Sequence, residues 1–413
     1  MCDADGGVDR WGPCGGEAGG WQVARTVSAT SVFERDTPLF VESESGRLAK
    51  YPASPWARWG LRLLIAAVFA AIATLYHLGS GGDWSATANG ALAERVPVLT
   101  RGAFDEGVGI VGALYPPLTS LLALLIPGGA YGLAIAGSAA ASLMLQLIVQ
   151  SLQRKGFPFG MRIVFTLALA TTPIFAYIAT TNFESVVGLL FFGLGMVDLV
   201  RFVTWANTQA GFRAGLLFAC AACSDSTVTF SALVAAVAGT LIIQSRRGAR
   251  LANAFVVAFP TLALFASLAL LGIAFGAGPL AMVRGDLVWH PERVEGFLGS
   301  VTSPGGLLFL APVVVMILTS FALRFPGTAL IAVFLAVSTL IAYFLGLTPP
   351  GNAGTTYTLM LLLAVAIVPA ATTIAHRLLT ASVAVVLWLI GWVTSSQWAT
   401  LRDWLGVVVG ETA

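Results

Sequence analysis

Apolar residues in this chain run in long unbroken stretches, and polar residues gather in the gaps between them. A helix on the surface of a water-soluble domain alternates apolar and polar faces, whereas one that is apolar all round is surrounded by lipid or by protein. Crossing about 30 Å of hydrocarbon at about 1.5 Å per residue takes roughly 20 apolar residues. That rule predicts spans at about 61–78, 131–150, 161–179, 184–200, 253–275, 305–322, 327–345, 357–374 and 379–395. The stretch 213–243 is too long for one upright span, and Ser224, Asp225, Ser226 and Thr227 interrupt it.

Charge decides how to read that interruption, because Arg and Lys in short loops stay on the cytoplasmic side of a membrane. Splitting 213–243 into two short helices that meet at the outer face near Asp225 keeps Arg246, Arg247 and Arg250 inside, together with Arg154, Lys155, Arg201, Arg324 and Arg377. The expected fold is therefore all-α and polytopic, with about eleven transmembrane helices. The amino terminus is expected in the cytoplasm and the carboxy terminus outside, in a plasma membrane. Pro116, Pro117 and the short run to Ile126 are too brief to span and read as a re-entrant or interfacial segment.

Residues 1–57 are rich in Gly, Ser, Asp, Glu and Arg without a sustained apolar period, which predicts a disordered cytoplasmic tail. The first span follows that tail, a poor position for a cleaved signal peptide, so it is expected to remain as an anchor. The transmembrane domain then covers 58–413, with a first outer loop at 79–117 and a second at 276–304.

Composition agrees with the pattern: of 413 residues 57% are hydrophobic and only 10% charged, with a mean hydropathy of +0.86. A net charge of +2, with no basic run interleaved with aromatics, sets nucleic acid aside. Four cysteines do not make a disulfide framework. Cys220 and Cys223 have a C-x-x-C spacing, which reads as small-residue helix packing rather than a redox couple.

The polar loops are where chemistry has room. Asp83 stands close to the membrane surface, where partial desolvation raises a carboxyl pKa towards a range useful for proton transfer; the bland alternative is a helix cap. Asp105 and Glu106 form an adjacent acidic pair, read either as a solvated loop or as substrate contacts. No metal site is assigned to them, because a metal needs more oxygen ligands than can be named, and no cofactor is expected. Glu184 opens a span and Asp225 sits at the split; an ionisable group at membrane depth is a functional candidate. Asp83, Glu184 and Asp225 would share one outward cavity. Arg284, His290 and Arg293 are candidates for a lipid phosphate, which an arginine fork matches, or else for an interfacial loop on anionic headgroups. Asp198 lies one turn before Arg201, the spacing of a local pair.

The order of landmarks resembles the membrane-embedded C-type glycosyltransferases, in particular relatives of protein O-mannosyltransferases and lipid A aminoarabinose transferases. The residues that carry the likeness are Gly82-Asp83-Trp84, then Tyr115-Pro116-Pro117-Leu118. They are followed by Thr172-Pro173-Ile174-Phe175-Ala176-Tyr177, by Thr181-Asn182-Phe183-Glu184-Ser185, and by the Ala-Gly landmarks of 210–216. Together they cover about residues 60–245. The chain departs from the pattern at 224–227, where relatives often carry a basic residue.

The resemblance implies inverting hexosyl or pentosyl transfer from a polyprenyl-phosphate donor to a glycan, lipid or protein acceptor of the cell envelope. Asp83 would be the catalytic acid or base. Tyr115, Glu184, Asp225, Asp105 and Glu106 would contact substrate, with Arg284, His290 and Arg293 at the phosphate. The rivals are a transporter or flippase, which would show paired broken helices in both halves, and a noncatalytic scaffold.

Overall fold

The structure, a computed structural model, describes residues 52–101, 115–205, 207–243, 250–274, 278–280, 287–349 and 351–410. The expected tail up to residue 51 lies outside them, as do Asp105, Glu106 and Arg284. Among the described residues the chain is all helix and turn. Sixteen helices follow in order: α1 (Pro55–Gly79), α2 (Ala88–Arg101), α3 (Pro117–Leu125), α4 (Gly129–Arg154), α5 (Phe159–Ala170), α6 (Pro173–Thr181), α7 (Phe183–Trp205), α8 (Thr208–Ser224), α9 (Ser226–Ile243), α10 (Arg250–Ala274), α11 (Pro291–Val301), α12 (Pro304–Ala322), α13 (Pro326–Phe344), α14 (Thr355–Ile367), α15 (Ile374–Gln397) and α16 (Ala399–Val409).

Seven of these, α1, α4, α7, α10, α12, α13 and α15, are long and apolar enough to cross a membrane. Their outward faces are apolar too: Leu63, Leu64 and Val68 on α1, and Phe255 and Phe259 on α10, stand exposed. Water would not tolerate such a surface, and lipid requires it. This is a multi-pass membrane protein.

The span expected at 161–179 is instead two helices, α5 and α6, bent by 65°. Pro173 explains the break, since it offers no N–H to continue the helix and disfavours helical backbone at Thr172, whose ψ is 119°. All nine residues of α6 are buried. The span expected at 357–374 is likewise shorter, ending at Ile367, and all thirteen residues of α14 but Val365 are buried. Among the described residues, counting the bent pair as one span, eight segments are long and apolar enough to cross, against the eleven or so expected. The shortfall is physical for α14, whose residues pack almost wholly against other helices, so its length need not match the bilayer; α8 and α9 are each short, and Phe212 and Leu216 of α8 remain exposed.

The carboxy end of α14 is closed by Lys155, which follows α4 and is itself buried. Its ammonium donates to the Ala366 carbonyl at 3.0 Å and to the Val368 carbonyl. Those acceptors are otherwise unpaired at a helix end, where the dipole also favours a cation.

Two ends of the bundle can be told apart. At the near end, where α1 begins, the guanidinium of Arg62 donates to Gln146 of α4. At the far end, Gly79 closes α1 against Val407 of α16, with 2.6 Å between an added Cβ and the Val407 carbonyl oxygen.

Candidate functional site

The turn after α1 takes left-handed backbone at Gly81 (φ 62°) and Gly82 (φ 85°), conformations that glycine adopts without a Cβ clash. It delivers Asp83 to the surface and Trp84 to the interior. Trp84 Nε1 donates to His77 Nδ1 at 3.0 Å, so the proton of a neutral His77 ring sits on Nε2. His77 stacks on Tyr131 with ring centroids 4.6 Å apart.

Asp83 is exposed, and its Oδ1 accepts from the Ser85 N–H at 2.9 Å. The desolvation expected to raise its pKa is therefore outweighed. The Ser85 backbone hydrogen bond instead holds the carboxyl below the ordinary aspartate range. The contact closes the local turn and is not the helix cap weighed above, since α2 begins at Ala88 and Thr87 Oγ1 accepts from the Gly90 N–H; the group is a carboxylate at neutral pH.

Glu184 and Asp225 differ sharply from Asp83. Both are about 1% exposed, and both are held by protein groups rather than facing an open space. Arg95 NH2 of α2 pairs with Glu184 Oε1 at 2.5 Å, and Arg95 NH1 donates to the Tyr115 carbonyl at 3.4 Å. Asp225 Oδ2 accepts from Ser185 Oγ at 2.6 Å, while its Oδ1 accepts from the Thr227 N–H at 2.7 Å and so caps α9. The expectation that these two carboxylates lie open to sugar hydroxyls is replaced by this closed arrangement.

The split in the chain at 224–227 is present, though it is buried among helices rather than exposed as an outer tip. Each of its polar side chains finds a partner there. Ser224 Oγ donates to the Cys220 carbonyl at 2.7 Å, Ser226 Oγ to Leu347 at 2.6 Å, and Asn352 Nδ2 to Thr227 Oγ1 at 3.0 Å. Satisfied side chains remove the cost of burying polar groups, so the break can sit inside.

Tyr115 joins the same node. Its hydroxyl lies 2.7 Å from Thr229 Oγ1, and Thr119 Oγ1 of α3 donates to the Ser224 carbonyl at 2.7 Å. Asn89 of α2 donates to Thr180 at 3.0 Å and accepts from the Phe183 N–H at 2.7 Å. Two buried atoms, Glu184 Oε2 and Asn182 Nδ2, lack a hydrogen-bond partner among the described residues. Residues of α2, α3, α7, α8 and α9 thus interlock at the far end.

Beside the node lies a partly open cavity of about 590 Å³, walled by α11, α12, α13, α14 and α15 with Ile174 of α6 and Thr227 of α9. Phe297, Leu308, Phe309 and Pro312 give it an apolar body, and Thr227, Thr348, Asn352 and Thr355 give it a polar end. Thr348 Oγ1 has no hydrogen-bond partner among the described residues. Thr227 and Asn352 belong to the node and the cavity alike.

His290 and Arg293 lie outside the cavity lining, and Arg293 reaches it only through Tyr343. The His290 N–H donates to the Phe344 carbonyl at 2.9 Å, and its ring Nδ1 lies 2.6 Å from Glu292 Oε1. Glu292 is held below the ordinary glutamate range by its own backbone N–H and by that contact with His290. Arg293 donates to the Tyr343 carbonyl at 2.8 Å and covers the Tyr343 ring at 5.1 Å. One of its five N–H donors is thereby used, and Tyr343 itself lines the cavity.

Sequence reasoning missed Arg95 as the partner of Glu184 and Ser185 as the partner of Asp225, and it missed Asn89, Thr229 and Asn352 altogether. Arg95 was findable in principle, because a buried glutamate needs a cation and few are available on that side. Among the described residues no group of three or more His, Cys, Asp or Glu is placed to share a metal ion. No protein-family model, curated protein or solved structure matches the chain.

Proposed function

We propose that the chain is a membrane glycosyltransferase that moves a sugar from a polyprenyl-phosphate donor to an acceptor at the far end of the bundle. One observation carries the reading. Three residues from landmarks of the glycosyltransferase resemblance, Tyr115, Glu184 and Ser185, are drawn from separate stretches of the chain yet meet, together with the polar 224–227 break, in one node that adjoins an apolar cavity with polar lining groups.

A cavity of about 590 Å³ is within the range of small-ligand sites, and its mixed lining suits a ligand with an apolar chain and a polar head. In this reading the first isoprene units occupy the side lined by Phe297 and Phe309, and the phosphate sits towards Arg293. The acceptor hydroxyl attacks the anomeric carbon, its proton passes to a carboxylate, and the bond between carbon and phosphate oxygen breaks with its electron pair leaving on the polyprenyl phosphate. Asp83 is one of several exposed carboxylates on that face, with Glu94, Glu292, Glu295 and Asp403; the resemblance singles it out, and its ionised state suits a base rather than an acid. Glu184 and Asp225 hold the node in shape. The positive-inside rule puts this face outside the plasma membrane and the amino-terminal tail in the cytoplasm.

A transporter is the second reading, favoured by the bend at Pro173 as a further broken helix besides the 224–227 break. Purified protein in sealed vesicles separates the two. With labelled polyprenyl-phosphate sugar, the enzyme reading expects saturable binding that Gly296→Trp weakens about tenfold or more, because position 296 lines the cavity and has open space for a side chain. Movement of solute into the vesicles with no glycosylated product would favour the transporter. Binding that Gly296→Trp leaves unchanged would remove the cavity from the account.

A further inference from the structure

The near end carries a second recess, of about 710 Å³, whose chemistry is the reverse of the first. Arg58 and Arg62 of α1, Arg154 of α4, Arg201 of α7 and Arg213 of α8 line it, against one carboxylate, Asp198. Arg201 NH1 and Arg213 NH2 hold Asp198 at 2.9 and 3.1 Å. Arg154 and Arg201 are more than nine-tenths buried.

Five guanidinium groups gathered in a concave, partly enclosed space raise the local positive potential and favour an anion there. Planar forks match the paired oxygens of phosphate better than a point charge does. Asn207, Gln209 and Gln150 add neutral hydrogen-bonding groups to the wall. The recess also lies at interfacial depth. Its arginines come from near the starts of α1 and α8 and near the ends of α4 and α7, with Leu147 and Leu194 deeper in the wall, and Trp56 and Trp59 are exposed on the same stretch of α1 as at a membrane boundary.

We propose that this recess binds a phosphate-bearing anion at the near end, on the face opposite the proposed transfer site. The phosphate can come from the headgroup of an anionic lipid or from a soluble phosphate compound. The site is independent of the sugar-transfer reading, since none of its residues touches the far-end node.

The test follows the thermal midpoint of the full-length protein in nanodiscs of phosphatidylcholine, with and without phosphatidylglycerol, and separately in detergent with inorganic pyrophosphate. A saturable rise in midpoint is expected with one of these anions. A rise with phosphatidylglycerol alone assigns a lipid headgroup, and one with pyrophosphate alone assigns a soluble phosphate.

R62Q/R213Q is expected to weaken that response about tenfold or more, whereas Arg377→Gln, an exposed near-end arginine outside the recess, keeps it. If the double variant does not fold, Arg213→Gln alone serves. Its side chain is 63% exposed, and it leaves Asp198 held by Arg201. No rise with either anion, or an equal response in wild type and in the recess variant, or equal loss in Arg377→Gln, overturns the proposal.

Discussion

Glu184 shows what a buried charge demands. Its carboxylate is removed from water, and the Arg95 pair at 2.5 Å is the compensation. Removing one partner leaves the other charge stranded, so Arg95→Met should cost about 3 kcal/mol of stability, read from chemical unfolding of the purified protein. Adding Glu184→Gln to Arg95→Met should recover most of that loss, because no lone charge then remains.

Asp83 obeys the opposite logic. A carboxyl held below its ordinary range keeps its charge, and any stabilisation that comes with it, above its unfolded pKa, losing both only as pH falls through the lower folded value. A base of this kind stays competent well into the acid range. The sequence made Glu184 and Asp225 visible, since carboxylates in apolar runs stand out. Their partners were not visible: Arg95 is 89 positions from Glu184 and Ser185 is 40 from Asp225, and no local period signals either pairing.

At the scale of elements, breaks and close approaches shape the far end. The α8/α9 split was readable from four consecutive polar residues, but its depth was not, because only the fold supplies Leu347 and Asn352 as partners. The bend between α5 and α6 was signalled by Pro173, although an apolar run on both sides concealed it. Gly188 on α7 permits the approach of the split, for a Cβ there would lie 2.8 Å from Asp225 Cβ. Gly188→Val should therefore push α7 from the break and cost about 1–3 kcal/mol, seen as a lower thermal midpoint. Preservation of that midpoint would mean that α7 and the split are not held in this register.

Across the whole molecule the two ends differ in kind. Near-end positions include Arg58, Arg62, Arg154, Lys155, Arg201, Arg213, Arg324 and Arg377, while the far end holds Arg95, Arg101, Arg293 and Arg402. Apolar runs and this asymmetry made the multi-pass architecture legible before any coordinates. The cavity was not, since its lining is gathered from α6, α9 and α11 to α15, which are far apart in sequence.

The proposed acceptor chemistry lies at the far end, where an ionised Asp83 is exposed to solvent and does not itself line the cavity. The direct test is sugar transfer by the reconstituted protein from a labelled polyprenyl-phosphate donor, measured for wild type and Asp83→Asn across pH. The account predicts transfer by wild type with an acid limb below the ordinary aspartate value of about 3.9, and none by a variant of unchanged thermal midpoint. Transfer by Asp83→Asn at the wild-type rate would contradict it.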